Sequence, residues 1–250
     1  MKYLVSNSYG IGDALNWLNA IILFEKEKDR NITITFHQRE GDKKIFSFTD
    51  IKQIYSFFCL KPTDTVCIID HCISTLEPDD IGEENFKIEG FKDFYFDIVN
   101  RHYFEIDIEP CENREGTSAM FYESGKIFQP AYEGKSITAD QYQKIKDKLD
   151  PIELHQWDGE KRTTNMFFTT MKNPYLIPAN LKMINESAKF VGSEGLWSHY
   201  SRALGVETHC INKQGRYLSN IEREFDVIAQ IFKKQGHYLY SSFMDLYKNV

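Results

Sequence analysis

Two short glycine-bearing segments of this chain stand where chemistry on an anionic substrate is possible. The first, Gly10-Ile11-Gly12-Asp13, directly follows the apolar run Tyr3-Leu4-Val5 and opens a long helical pattern. Glycines at such a junction permit a tight turn and let a ligand approach the backbone closely. The N–H groups that begin the following helix attract an anion. Asp13 then has two readings: an N-cap that accepts a hydrogen bond from the helix start, or a general base that takes a proton from an attacking hydroxyl. The second segment, Val191-Gly192-Ser193-Glu194-Gly195-Leu196-Trp197-Ser198-His199, also leads from an apolar stretch into a helix. Gly192 and Gly195 bracket Ser193 and Glu194 at the bend, and free N–H groups there suit a phosphate. A lone helical histidine is commonly a core residue. His199, however, lies just past the carboxyl end of a strand, where open α/β sheets bind ligands.

Between these segments, Lys135-Ser136 precedes a helix that Ser136 or Thr138 is able to cap. A cation beside a helix start concentrates positive potential at one point and suits a diphosphate. A lysine in that position also reads as solvated surface.

The elements that must position these residues alternate. Residues 2–7 read as a strand, 12–28 as a helix, 31–38 as a strand, a helix starts at Thr49-Asp50, and 65–70 reads as a buried strand. Strands alternating with helices imply parallel βαβ units. The aromatic-rich stretch 84–108 reads as core, with an edge strand and a cleft wall. Residues 110–125 mix Pro, Gly, Ser and charge and read as the connection between two halves. In the second half the pattern gives a strand at 126–129, a loop at 130–136, a helix at 138–149 and a strand at 151–156. It continues with a helix at 178–187, a strand at 189–191, a helix at 196–204, a strand at 206–211 and one long helix over 220–248. The expected architecture is α/β: two Rossmann-like domains, 1–115 and 116–250, facing each other across a cleft.

Composition narrows the functional classes. Over 250 residues the chain is 42% apolar and 27% charged, ordinary values for a globular protein with a core. The net charge of −7 leaves no electrostatic footprint for nonspecific binding to nucleic acid or an anionic membrane. Five irregularly spaced cysteines, without a paired C-x-x-C, read as reduced thiols and not as a zinc site. No run reaches the ~20 apolar residues of a membrane span, and the N-terminus does not read as a signal peptide. A cytoplasmic protein is expected.

The second segment, extended to Gly205, resembles the lipopolysaccharide heptosyltransferases, a group of glycosyltransferase family 9 type. Their signature V-G-x-D-[ST]-G-x-x-H-x-A-x-A-L-G is matched in spacing by Val191, Gly192, Glu194, His199, Ala203, Leu204 and Gly205. Glu194 stands for the aspartate, Gly195 for the hydroxyl residue and Leu196 for the glycine. Gly12-Asp13 is similar to the family's opening G-D loop, Lys135-Ser136-Ile137-Thr138 with Tyr142 to its K-x-W-P-x-x-x-W, and Trp157-Asp158-Gly159-Glu160 to its W-G-x-E. The resemblance implies a GT-B fold and inverting transfer from a nucleotide-diphosphate sugar, with that donor as substrate and no cofactor. Asp13 would be the catalytic base, with Gly10, Ile11 and Gly12 on the acceptor side. Lys135, Ser136, Trp157, Glu160, Gly192, Ser193, Glu194, Gly195 and His199 would hold the nucleotide sugar. The chain is short for the family, so heptose and lipopolysaccharide specificity do not transfer.

No Asp-x-Asp motif of metal-dependent transferases is present, so transfer without a metal is expected. The acceptor is a saccharide or glycolipid on this reading. The alternatives are a hydroxymethylated base of viral DNA, flipped into the cleft, or a non-catalytic nucleotide- or glycan-binding module on a degenerate GT-B scaffold. A Rossmann dehydrogenase is disfavoured because the first junction lacks the third glycine of G-x-G-x-x-G.

Overall fold

A computed structural model of the protein describes residues 1–6, 11–26, 32–37, 65–69, 82–101, 109–122, 137–154, 176–212 and 225–250. They fall into two compact units, one formed by residues up to 101 and one from residue 109 onward. Both are α/β with parallel sheets.

The first unit contains β1 (Lys2–Ser6), α1 (Ile11–Glu25), β2 (Thr33–His37), β3 (Thr65–Ile69) and α2 (Phe91–Arg101), with a 3-10 turn at Glu84–Lys87. Its strands run parallel in the order β1-β2-β3, with Leu4 opposite Thr35 and Thr35 opposite Cys67. Tyr3, Val5 and Ile34 are fully buried, and α1 turns Leu18, Ile21 and Ile22 inward. α1 lies against α2 through stacked Trp17 and Tyr95 (4.0 Å) and edge-to-face Phe24 and Phe91 (5.2 Å). The aromatic stretch read as an edge strand is therefore a 3-10 turn and a helix as far as Arg101. Phe91, Tyr95 and Ile98 recur at helical spacing and form its buried face.

The edge of β1 away from β2 is closed by a side chain. Asn85 accepts from the Leu4 N–H and donates to the Leu4 carbonyl, both at 2.8 Å. Beneath the same strand, the Tyr3 hydroxyl donates to the buried carboxylate of Glu25.

The second unit contains β4 (Glu115–Phe121), α3 (Ala139–Leu149), β5 (Ile152–Glu153), α4 (Leu176–Glu186), β6 (Ser187–Ser193), α5 (Leu196–Ala203), β7 (Glu207–Ile211), α6 (Phe225–Lys234), β8 (Tyr238–Tyr240) and α7 (Phe243–Asn249). Its sheet is wholly parallel, in the order β5-β4-β6-β7-β8. One face packs Met120, Val191 and Ile211 against Ile145 of α3 and Phe243 and Leu246 of α7. On the other face Phe121 meets Trp197 of α5 (6.1 Å), and Thr208 shares a hydrogen bond with Ser201 of α5 (2.7 Å). α4 packs beside α5, and Phe232 of α6 lies under Arg202 of α5. Sheets covered by helices on both faces are the usual home of parallel strands.

Local signals explain the ends of these elements. α3 starts at Thr138, whose hydroxyl accepts from the Gln141 N–H (3.2 Å) while the Gln141 side chain accepts from the Thr138 N–H (3.0 Å). Thr138, not Ser136, is the cap. Residues 110–125, read as a connection, hold β4, a strand paired on both sides. The expected single helix over 220–248 is α6, β8 and α7 in succession. Gly236 stops α6 at φ +77°, a left-handed conformation that glycine adopts without strain.

One arginine fastens the start of this unit. Arg114 donates from Nε to the Asn185 carbonyl (3.1 Å), from Nη1 to that of Gly205 (3.0 Å) and from Nη2 to that of Leu204 (2.5 Å). It thus serves the orphan carbonyls where α4 and α5 end. Among the described residues, no helix is long and apolar enough to cross a membrane.

Candidate functional site

The order of the second sheet identifies one special place. The chain leaves β4 through α3 on one face and reaches β5; it then returns through α4 on the other face and enters β6 on the opposite side of β4. The direction of winding reverses between β4 and β6. At the carboxyl ends of these strands lie Phe121-Tyr122 and Ser193-Glu194-Gly195. In open α/β sheets, the crevice outside the carboxyl ends at such a reversal is where ligands bind.

Gly192 pairs with Phe121 across this boundary. A Cβ there would stand 2.4 Å from the Phe121 carbonyl oxygen and 2.9 Å from the Phe190 ring. Strand packing therefore requires this glycine, whether or not a ligand approaches. Beyond the strand the turn opens: among the described residues nothing lies within 4 Å of a Cβ built on Gly195. The Gly195 N–H donates to Ser198 Oγ (3.0 Å), which in turn donates to the Gly195 carbonyl (2.8 Å), and α5 begins. Tyr122, fully buried at the end of β4, keeps its phenol proton because burial, reinforced by the nearby Cys210 thiol, pushes its pKa well up.

Three charged or ionisable side chains meet at this turn, all nearly excluded from solvent: Glu194, His199 and Arg202. His199 Nε2 is 3.3 Å from Glu194 Oε1, and His199 Nδ1 is 2.6 Å from Arg202 Nη2. Arginine offers only donors, so the ring accepts at Nδ1, and a neutral ring then carries its proton on Nε2, the nitrogen that faces the Glu194 carboxyl. The guanidinium lies 4.1 Å from the centroid of the Phe232 ring, a cation–π contact. Both ring nitrogens of His199 are thus engaged by protein groups, and a ligand at this turn must share or replace one of them.

A second polar line runs across the opposite face of the sheet. His209 Nε2 donates to Glu207 Oε1 (2.7 Å), and Tyr240 donates its hydroxyl to His209 Nδ1 (3.0 Å). The imidazole lies near-parallel to the rings of Tyr238 and Tyr240, with centroids 4.8 and 5.9 Å away. Burial lowers the His209 pKa against the opposing pull of Glu207, and burial likewise pushes the Tyr240 phenol up to about 12. At neutral pH the imidazole of His209 and the phenol of Tyr240 are both uncharged.

Of the residues singled out in the sequence, Gly192, Ser193, Glu194, Gly195 and His199 are brought together at this turn. Ile11, Gly12 and Asp13 form the first turn of α1. Asp13 is the third residue of that helix and so does not occupy the cap position that the sequence offered it. Gly10, Lys135, Ser136, Trp157 and Glu160 lie outside the described residues. Arg202 was not singled out, although its place one helical turn after His199 is the spacing at which helical side chains meet. Among the described residues, no group of three or more His, Cys, Asp or Glu side chains is placed to hold a metal ion.

No family model and no curated protein matches the chain. Among the solved structures similar to it in backbone are two of glycosyltransferases. The iron-containing dodecameric glycosyltransferase TibC of enterotoxigenic E. coli H10407 is 11% identical, with a TM-score of 0.47 over 99% of this chain and 76% of that one. The dodecameric iron-containing heptosyltransferase TibC in complex with ADP-D-beta-D-heptose is 10% identical, with a TM-score of 0.45 over 90% of this chain and 61% of that one. At such identities the likeness concerns the path of the chain and assigns no residue a role.

Proposed function

We propose that this protein is a glycosyltransferase that moves a sugar from a nucleotide-diphosphate sugar to an acceptor hydroxyl, with inversion and without an obligatory metal. The observation that carries the proposal is a coincidence of pattern and place. The segment Val191 to Gly205, whose spacing resembles that of the heptosyltransferases, is the strand, turn and helix at the winding reversal of the second sheet. The donor's diphosphate would lie against the Gly192–Gly195 turn and the start of α5, where backbone N–H groups and the helix dipole favour an anion. Lys135 and Ser136 would add charge and a hydroxyl, and Trp157 and Glu160 would contact the nucleoside.

The first unit supplies the acceptor side in a GT-B-like arrangement, with two Rossmann-like units facing a cleft. Asp13, backed by Gly10, Ile11 and Gly12, is the proposed base. It takes the proton of the acceptor hydroxyl as the hydroxyl oxygen bonds to the anomeric carbon. The bond from that carbon to the diphosphate oxygen breaks on the opposite face, so the configuration inverts and a nucleoside diphosphate leaves. A saccharide or glycolipid is the acceptor class, and the cytoplasm the expected compartment.

Calorimetry with UDP, ADP and GDP tests the donor site. Lys135→Ala should weaken the preferred nucleotide by ~1.5–3 kcal/mol, the scale of a charged hydrogen bond. If none of the three binds, or if binding leaves the amide signals of 192–199 unmoved, the donor site is not here. Sugar transfer lost in EDTA and restored by a divalent ion would refute the metal-free mechanism.

A further inference from the structure

We infer that Arg202 is a positioning residue that holds His199 as a neutral imidazole with its proton on Nε2, so that a donor diphosphate at the turn meets a hydrogen-bond donor and not a cation. The inference rests on the turn being the donor site and adds a residue to which no motif assigns a role. The geometry allows a single proton arrangement. Arg202 Nη2 lies 2.6 Å from Nδ1 and has only protons to offer. The opposite tautomer would set N–H against N–H at this contact and a lone pair against the Glu194 carboxylate, 3.3 Å from Nε2. A protonated ring would set a second N–H against the guanidinium.

Arg202 itself is fixed. It sits one turn after His199 on α5, is almost wholly buried, and lies over the Phe232 ring. His237, which approaches from the segment before β8, is kept uncharged by burial and by the Arg202 cation, so it places no second cation beside the pair. Glu194 faces one ring nitrogen and Arg202 the other. A phosphate oxygen reaching the turn accepts the Nε2–H that faces Glu194 in the free protein, and Arg202 keeps that proton on the correct nitrogen.

Long-range proton–nitrogen NMR on the full chain, with imidazole-labelled histidine and His199→Gln for assignment, reads this directly. At pH 7 the His199 ring should show Nδ1 unprotonated and Nε2 protonated. Arg202→Met keeps the length and the packing on Phe232 but removes the donors. It should abolish that single-tautomer pattern and weaken nucleoside diphosphate binding on the order of 10-fold, equivalent to about 1.4 kcal/mol. Arg202→Lys, which keeps a charged donor, should recover most of both. A wild-type ring protonated at Nδ1, or an unchanged pattern in Arg202→Met, overturns the inference. If Arg202→Met does not fold, the wild-type and Arg202→Lys spectra decide it. A correct tautomer in a protein that binds no UDP, ADP or GDP overturns the donor-site reading instead, and with it the diphosphate's part in the inference.

Discussion

Lowering the pH from 7.5 to 5 should destabilise the second unit through one buried histidine. His237 is 5% exposed, and its Nδ1 has no hydrogen-bond partner among the described residues. Burial first, then the cation of Arg202, bring its pKa from 6.5 to about 4, against an opposing pull from Glu207 and with a lesser lowering by His209. In the unfolded chain the ring titrates near its ordinary value. Between pH 6.5 and 4 the unfolded state therefore binds a proton that the folded state does not, and stability falls as the pH falls. For this pair of pKa values the loss is about 2 kcal/mol at pH 5 and about 3 kcal/mol at pH 4. Urea unfolding of the wild type and of His237→Gln, each at pH 7.5 and 5, isolates the effect because other titrating groups largely cancel. The wild type should lose about 2 kcal/mol more than the variant across that interval. Equal losses, or an NMR titration of His237 with a midpoint near 6.5, would show that the ring is solvated in the folded state and that the reasoning fails.

Asp13→Asn keeps the side-chain size but cannot accept a proton; it should cut turnover by ~10²–10⁴-fold while leaving nucleotide affinity unchanged, and near-normal turnover would dismiss Asp13 as base. Gly192→Ala forces a methyl group against the Phe121 carbonyl and the Phe190 ring, so urea unfolding should show a loss of about 1–3 kcal/mol, the range for overpacking. Arg114→Met removes three hydrogen bonds to carbonyls at the ends of α4 and α5. A loss of about 1.5–3 kcal/mol is expected, with faster amide exchange in the last turn of α5; unchanged exchange there would mean that solvent serves those carbonyls equally well.

The parts of the fold legible in the sequence are those whose signals are local. β1, β2 and β3 are short runs of apolar and β-branched residues, and α3 opens with a Thr-x-x-Gln pair that caps it within four residues. The 187–205 segment was legible because glycine, strand and helix follow one another without a break. β4 was not. Glu115, Gly116, Thr117 and Ser118 have the composition of a loop, and only pairing with β5 and β6 makes them and their successors a strand. β8 was hidden by the opposite error. The aromatic spacing of α6 and α7 runs on through Tyr238-Leu239-Tyr240, and only the left-handed Gly236 breaks the helix. The charge line through Arg202 was missed for a related reason: which polar residue of a helix turns inward depends on the partner, here Phe232, thirty positions further along the chain.

Asn85 has a meaning for assembly as well as for folding. A parallel strand at the rim of a sheet presents a row of free amides and carbonyls, a template on which another chain can grow. By taking both groups of Leu4, the Asn85 amide acts as a partner strand one residue long. It also works as a ratchet pawl: if β1 slid by one position, the groups facing Asn85 would turn toward β2 and both bonds would be lost. The strand that feeds Ile11, Gly12 and Asp13 is thereby pinned along its own axis, and on its side away from β2 the amide and carbonyl of Leu4 are withdrawn from pairing by a single carboxamide.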